Sequence, residues 1–229
     1  MGRKDNTDIF EHWKRWLVEG LWQAVADMQV DQKVFNDLRD VVNHRLEQDG
    51  ADSFDGAEVV EWMVRGYVAN ACLAIRRFAE ANKQGTSMRR LLDDLVTHQE
   101  VLTRTNLRDH GCGTDATIDR LSKGVGLDPF PISVVEEDIN ALGNEVDSIK
   151  TFVDKNLAHS DRNAAKFPIP TYGKLASVIE YCRDLYERYA LLLAGSSCQL
   201  QGPKIPFTEL PECRAYFARL WGLDTASLE

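Results

Sequence analysis

One short stretch of this chain carries the residue types that acid–base and phosphate chemistry use: Lys150, Asp154, Lys155, His159 and Arg162. Histidine is the one side chain whose ordinary pKa lets it give and take a proton near neutral pH. His159 is therefore a residue able to act as acid or base, and Asp154 lies five residues before it on the same segment. Lys150, Lys155 and Arg162 are the candidate substrate-binding cations, since lysine and arginine neutralise phosphodiesters. From Lys150 to Lys174 the basic residues Lys150, Lys155, Arg162, Lys166 and Lys174 face only Asp154 and Asp161, whereas Glu136, Glu137, Asp138, Glu145 and Asp147 lie just upstream. The whole chain has 27 Lys+Arg against 36 Asp+Glu, a net charge of −9. That balance speaks against a protein coated with nucleic acid but leaves room for one local basic patch.

Other chemistries lack their residues. A di-iron bundle needs Glu three positions before His, and none of His12, His44, His98, His110 or His159 has it. There is no His-Glu-x-x-His, no Gly-x-Ser-x-Gly elbow and no Gly-x-x-x-x-Gly-Lys phosphate loop. Cys72, Cys112, Cys182, Cys198 and Cys213 form no Cys-x-x-Cys pair, so neither a zinc ribbon nor a disulfide framework is expected. His110-Gly111-Cys112 reads as a glycine loop with a surface histidine rather than half of a metal site. No metal and no cofactor are expected.

A helix must hold the candidate residues. Helical periodicity dominates and there is no alternating apolar run or Asn-Gly hairpin, so the fold class is all-α, a helical bundle. With 229 residues, 44% of them hydrophobic, the chain can bury a full core without staples. Val135, Ile139, Leu142, Val146, Ile149, Val153 and Leu157 form a narrow apolar stripe on a long helix that Ser133 is expected to cap. Lys155 lies opposite that stripe and His159 follows one turn later, so both face water or a cleft. The expected partner is the next helix, Thr171 to Ala194, antiparallel across Pro168 and Pro170 and stopped by Gly195. Upstream, helical segments are expected from Ile9 to Met28, Val34 to Leu46, Ala57 to about Lys83, from Ser87 as N-cap, and over Thr114 to Lys123. A short terminal helix is expected around Pro211 to Trp221.

The string Asp154-Lys155-x-x-Ala158-His159-x-Asp161 at the end of a long helix resembles the HEPN superfamily, especially the HEPN-like proteins grouped with abortive-infection systems. Ala74-Ile75-Arg76-Arg77-Phe78, followed by the Ser87-led helix through Leu91, Leu92 and Leu95, is similar to the upstream half of those proteins. The resemblance implies a four-helix core that often dimerises, with the motif helices of two protomers lining one cleft. Many members cut RNA without a metal, using an Arg, a polar residue and a His four to six residues after the Arg. Carried over, His159 takes the histidine role and Asp154 the polar position, and the chain departs from the pattern by placing Val153 at the arginine position. Lys155 or Arg162 would have to supply that charge, and lysine lacks the forked geometry of arginine. Arg39 to His44 and Arg104 to His110 also fit the spacing, but about one such match is expected by chance.

The resulting organisation is an N-terminal helical pair over residues 1–50 packing on the core, a HEPN-like bundle over 57–195, and a C-terminal extension over 196–229 with a short helix. The expected function is that of a non-catalytic or weakly active HEPN-like protein that binds RNA or a nucleotide in a defence or toxin–antitoxin setting. The alternatives are an active metal-independent endoribonuclease using His159, and a protein-interaction bundle with no nucleic-acid role. A cytoplasmic homodimer is expected, with no signal segment and no apolar run near the roughly 20 residues a membrane span needs.

Overall fold

The computed structural model describes residues 6–49, 56–81, 85–110, 114–157, 168–195 and 213–220. The protein is an all-α helical bundle, with no strand among the described residues. Among the described residues no helix is long and apolar enough to cross a membrane.

The chain opens with α1 (Asn6–Trp16), a π-helical turn (Leu17–Leu21) and α2 (Trp22–Asp49). Both joints are helical, with Trp16 at φ −61° and Trp22 at φ −56°. The N-terminal pair expected from the sequence is thus one continuous helical run. Gln29 to Lys33, between the two expected segments, contains no glycine or proline to break it. The run serves two apolar clusters. Phe10, Trp13, Leu17, Leu21, Val25 and Met28 lie in the main core, while Phe35, Leu38, Val41 and Val42 form a second cluster with Phe217 and Ala218 of α9 (Cys213–Leu220). Trp13 ties the run to the bundle by donating its indole N–H to Asp94 Oδ2 at 2.7 Å.

Next, α3 (Ala57–Phe78) buries Val68, Ala71, Cys72, Ile75 and Phe78 and ends short of Lys83, where Ala79 N–H reaches back to the carbonyls of Ile75 and Arg76. Ser87 caps α4 (Met88–Thr97) by accepting from Arg90 N–H at 3.2 Å. The stretch to the long helix holds a 3-10 turn (Gln99–Val101), α5 (Arg104–Asp109) and α6 (Asp115–Leu121). Thr103 and Thr114 cap the latter two through their hydroxyl oxygens.

The long helix α7 (Ile132–Phe152) starts two residues earlier than a cap at Ser133 would allow. Pro131, at φ −66°, occupies the cap position; it has no N–H to leave unpaired, and Ser133 falls inside the first turn. The stripe of α7 packs chiefly on α4 and α3, and less on α8 (Tyr172–Ala194), so the next helix in sequence is not its main partner. Instead α8 sits mainly against α2 and α3. Thr171 caps α8 by accepting from Lys174 N–H at 3.2 Å, and Gly195 ends it in the left-handed region at φ 72°, a conformation glycine adopts without a Cβ penalty. One buried polar tie joins α7 to α8: Asp138 accepts from Arg188 Nη1 at 2.5 Å and from Tyr189 Oη at 2.9 Å.

Candidate functional site

The end of α7 is where the candidate residues gather, and its backbone is irregular there. Val153–Leu157 is a π-helical turn continuing directly from Phe152. An i→i+5 turn inserts one residue into the helical repeat and displaces the succeeding residues around the axis by about 100°. Val153 is fully buried and continues the stripe, while Leu157, expected to extend it, is 41% exposed. The stripe therefore ends at Val153. Phe152, outside the stripe read from the sequence, is buried instead.

Asp154 is half-buried and meets a partner that the sequence pattern did not place at the site. Arg76, in the last turn of α3, forms an ion pair with it, Nη2 standing 2.9 Å from Asp154 Oδ1. A cation is favoured at that end of α3 by the helix dipole. The Nε of Arg76 is buried with no hydrogen-bond partner among the described residues. Its neighbour Arg77 is exposed on another face. The signal for Arg76 was the basic pair at the end of α3, but pairing it with a residue 78 positions away required the packing of α3 on the π-turn.

Lys155 is exposed, as its place opposite the stripe implies, and Lys150 is exposed as well. Lys174 is committed to Glu145 at 2.8 Å and does not add a free cation to the site. His159 and Arg162 lie outside the described residues. The structure thus joins Asp154 to the unexpected Arg76 at the C-terminal end of α7, where Lys150 and Lys155 are exposed on the same stretch, with a guanidinium entering from α3 and not from position 153.

The two chance matches to the motif spacing are taken apart by the fold. Arg39 approaches Asp40, and His44 pairs with Gln48 at 3.0 Å. Arg104 is locked onto Asp119, the carbonyl of Leu127 and, by its backbone N–H, Asp128, while His110 stacks on Phe10 with ring centroids 4.6 Å apart. Hydrogen bonding to Arg104 holds the Asp119 carboxyl below the usual carboxylate range, so this cluster reads as a loop lock. Among the described residues no group of three or more His, Cys, Asp or Glu side chains is arranged to hold a metal ion.

No curated protein and no solved structure matches the chain. A family model does: HEPN_AbiU2, described as AbiU2, over residues 10–209. The match begins in α1 and includes Arg76, Val153 and Asp154, so the N-terminal helical run and the π-turn belong to one family unit. It covers most of the chain, and the chain belongs to the AbiU2 family of HEPN proteins, a HEPN-type abortive-infection family.

Proposed function

We propose that the protein binds RNA at the C-terminal end of α7 in an abortive-infection setting, without efficient cleavage of its own. The observation that carries this reading is the fully buried Val153 at the arginine position of the motif, with the Arg76 guanidinium set against Asp154 instead. Phosphate contacts would come from Arg76, Lys150, Lys155 and Arg162. Arg76 is turned toward a carboxylate and not free to clamp a strained phosphate, and so serves binding better than transition-state stabilisation. The reading takes the protein as a homodimer sharing this cleft, and Leu157, turned outward by the π-turn, gives that end an apolar contact of its own.

The test is salt-dependent binding of a labelled single-stranded RNA to the full chain. Each phosphate contact contributes about 0.7 to the slope of log affinity against log salt. Arg76→Ala combined with Lys155→Ala is expected to flatten that slope while the RNA stays intact. A slope unchanged by the double substitution overturns the binding site.

A second reading, metal-independent endoribonuclease activity, draws support from the same pair, because Arg76 brings a guanidinium near the polar position of the motif. Cleavage that persists in chelator and is lost in His159→Ala decides for it.

A further inference from the structure

A cavity of about 270 Å³ lies between α2, α3 and α9, away from the end of α7. Its floor is the Phe35–Tyr67 pair, stacked face to face with centroids 4.0 Å apart and planes within 4°. Trp62 stands at its mouth 75% exposed, and Phe217 of α9 closes one side. A tryptophan left so open beside an apolar hollow exposes a large apolar surface, and a ligand covering it would bury that surface.

The cavity stays open because Gly66 lines it from the middle of α3. A Cβ built there would meet no atom within 4 Å, so the missing side chain leaves empty space and relieves no clash. Gly66 is ten residues before Arg76 on the same helix, about 15 Å along its axis, which separates this cavity from the site at Asp154.

Asp31 is the charged side chain among the described residues that line the cavity, with neutral Asn70 also on its wall. Asp31 has neither a hydrogen bond nor an ion pair among the described residues. Asp27, one turn earlier, is held by Gln23 at 2.6 Å. The Tyr67 phenol is pushed up to about 12 by burial and, next, by the negative charge of Asp31, with Arg39 acting more weakly in the opposite sense. An aromatic hollow with an unpartnered carboxylate at its edge matches a ligand that carries a flat apolar body and a single positive charge.

We propose that this cavity binds a small aromatic ammonium compound, its ring between Trp62 and the Phe35–Tyr67 stack and its charge on Asp31. The proposal does not depend on the RNA-binding reading. It also assigns no chemistry to the cavity: the ligand is held, and no bond in it changes.

The test is titration of the full chain with phenethylamine, its neutral counterpart phenethyl alcohol and the anion hydrocinnamate, followed by tryptophan fluorescence and by binding heat. Phenethylamine is expected to bind saturably and about tenfold more tightly than the alcohol, a preference of about 1.4 kcal/mol. Asp31→Asn is expected to remove the preference for the amine while the alcohol still binds. Gly66→Leu should abolish binding of both with the helical circular dichroism intact, since leucine fills the open space and favours helix. Trp62→Phe should lose the fluorescence response. Equal affinity for the amine and the alcohol, amine binding that survives Gly66→Leu, or the absence of saturable binding overturns the proposal.

Discussion

Arg76 and Asp154 lie 78 positions apart in sequence and meet at 2.9 Å, the guanidinium of α3 closing on the carboxylate of the π-turn. Their side chains are 31% and 37% exposed, so the pair resembles a surface ion pair worth about 0–1 kcal/mol. Stability is a weak reason for such a contact, and placement of charge beside the end of α7 is the larger effect. Arg76→Ala should move thermal unfolding little while weakening RNA binding. Asp154→Asn should do the opposite to binding, tightening it, because the guanidinium loses its competing carboxylate. Filter binding at two salt concentrations, alongside a melt of each variant, separates the two roles. Equal losses of affinity in both variants would mean that the pair acts only as scaffold.

Val153 invites the substitution that would complete the HEPN arginine pattern, and the packing argues against its success. The side chain is fully buried at the base of the π-turn, where a guanidinium would have no water and no preformed partner. Val153→Arg is expected to cost more than about 3 kcal/mol and to lower the urea midpoint sharply, with no gain in RNA cleavage. A stable Val153→Arg protein that cuts RNA would show that position 153 can turn outward.

What the sequence disclosed and what it hid divide along a physical line. The cap at Ser87, the stop at Gly195 and the stripe from Val135 to Val153 are legible because each depends on residues within a turn or two. Leu157 leaves the stripe because a constant 100° per residue does not hold across the inserted residue of a π-turn. Nearness in sequence favours α8 as the partner of α7, but the apolar faces of α4 and α3 offer the larger contact. At the candidate site, Lys155 could be placed opposite the stripe from spacing alone, but Arg76 could not be placed without the crossing of α3 and the π-turn.

Gly20 is the position where the first π-turn lets the chain before α4 approach. A Cβ there would stand 2.6 Å from Thr86 Cγ2 and 2.9 Å from Thr86 Cβ, inside contact distance. Gly20→Ala gains about 1 kcal/mol of helix propensity and loses about 1–3 kcal/mol to overpacking. The net expectation is destabilisation. Thr86→Ser removes the nearest atom, so the double variant should recover part of the loss in a urea titration. Additive losses in the double variant would exclude Thr86 as the cause.

Asp138 is the buried carboxylate on which Arg188 and Tyr189 converge, at 2.5 and 2.9 Å. Removing it leaves a buried hydroxyl unpaired, while the Arg188 guanidinium, 38% exposed, turns to water, so Asp138→Ala should cost about 2–3 kcal/mol. Tyr189→Phe, which removes a single hydrogen bond and leaves Arg188 paired, should cost about 1 kcal/mol. The ordering of the two urea midpoints is the check, and a Tyr189→Phe loss as large as that of Asp138→Ala would shift the weight of the network from charge to hydroxyl.

Alkaline pH should unfold the protein through its buried acids. Burial, then the charge of Glu145, pushes the Cys182 thiol from 9.0 up to about 12. Burial and next Asp138 raise the Tyr189 phenol well above 10.0, and burial takes the Tyr181 phenol up to about 12. Each group holds its proton more tightly folded than unfolded, so its stabilisation is complete below its unfolded pKa and is lost as pH climbs toward the folded value. The slope is about 1.4 kcal/mol per pH unit for each such group in that window. Urea midpoints should stay level up to about pH 9 and fall from there toward pH 12. Burial pushes the Cys72 thiol from 9.0 up to about 12 as well, so both thiols act in the same window. Cys72→Ala combined with Cys182→Ala opens small cavities that lower the whole curve, but it also removes both raised thiols, so the fall should begin nearer pH 10, where the tyrosines titrate. An onset that stays near pH 9 in the double variant would mean that neither thiol carries the first part of the alkaline loss.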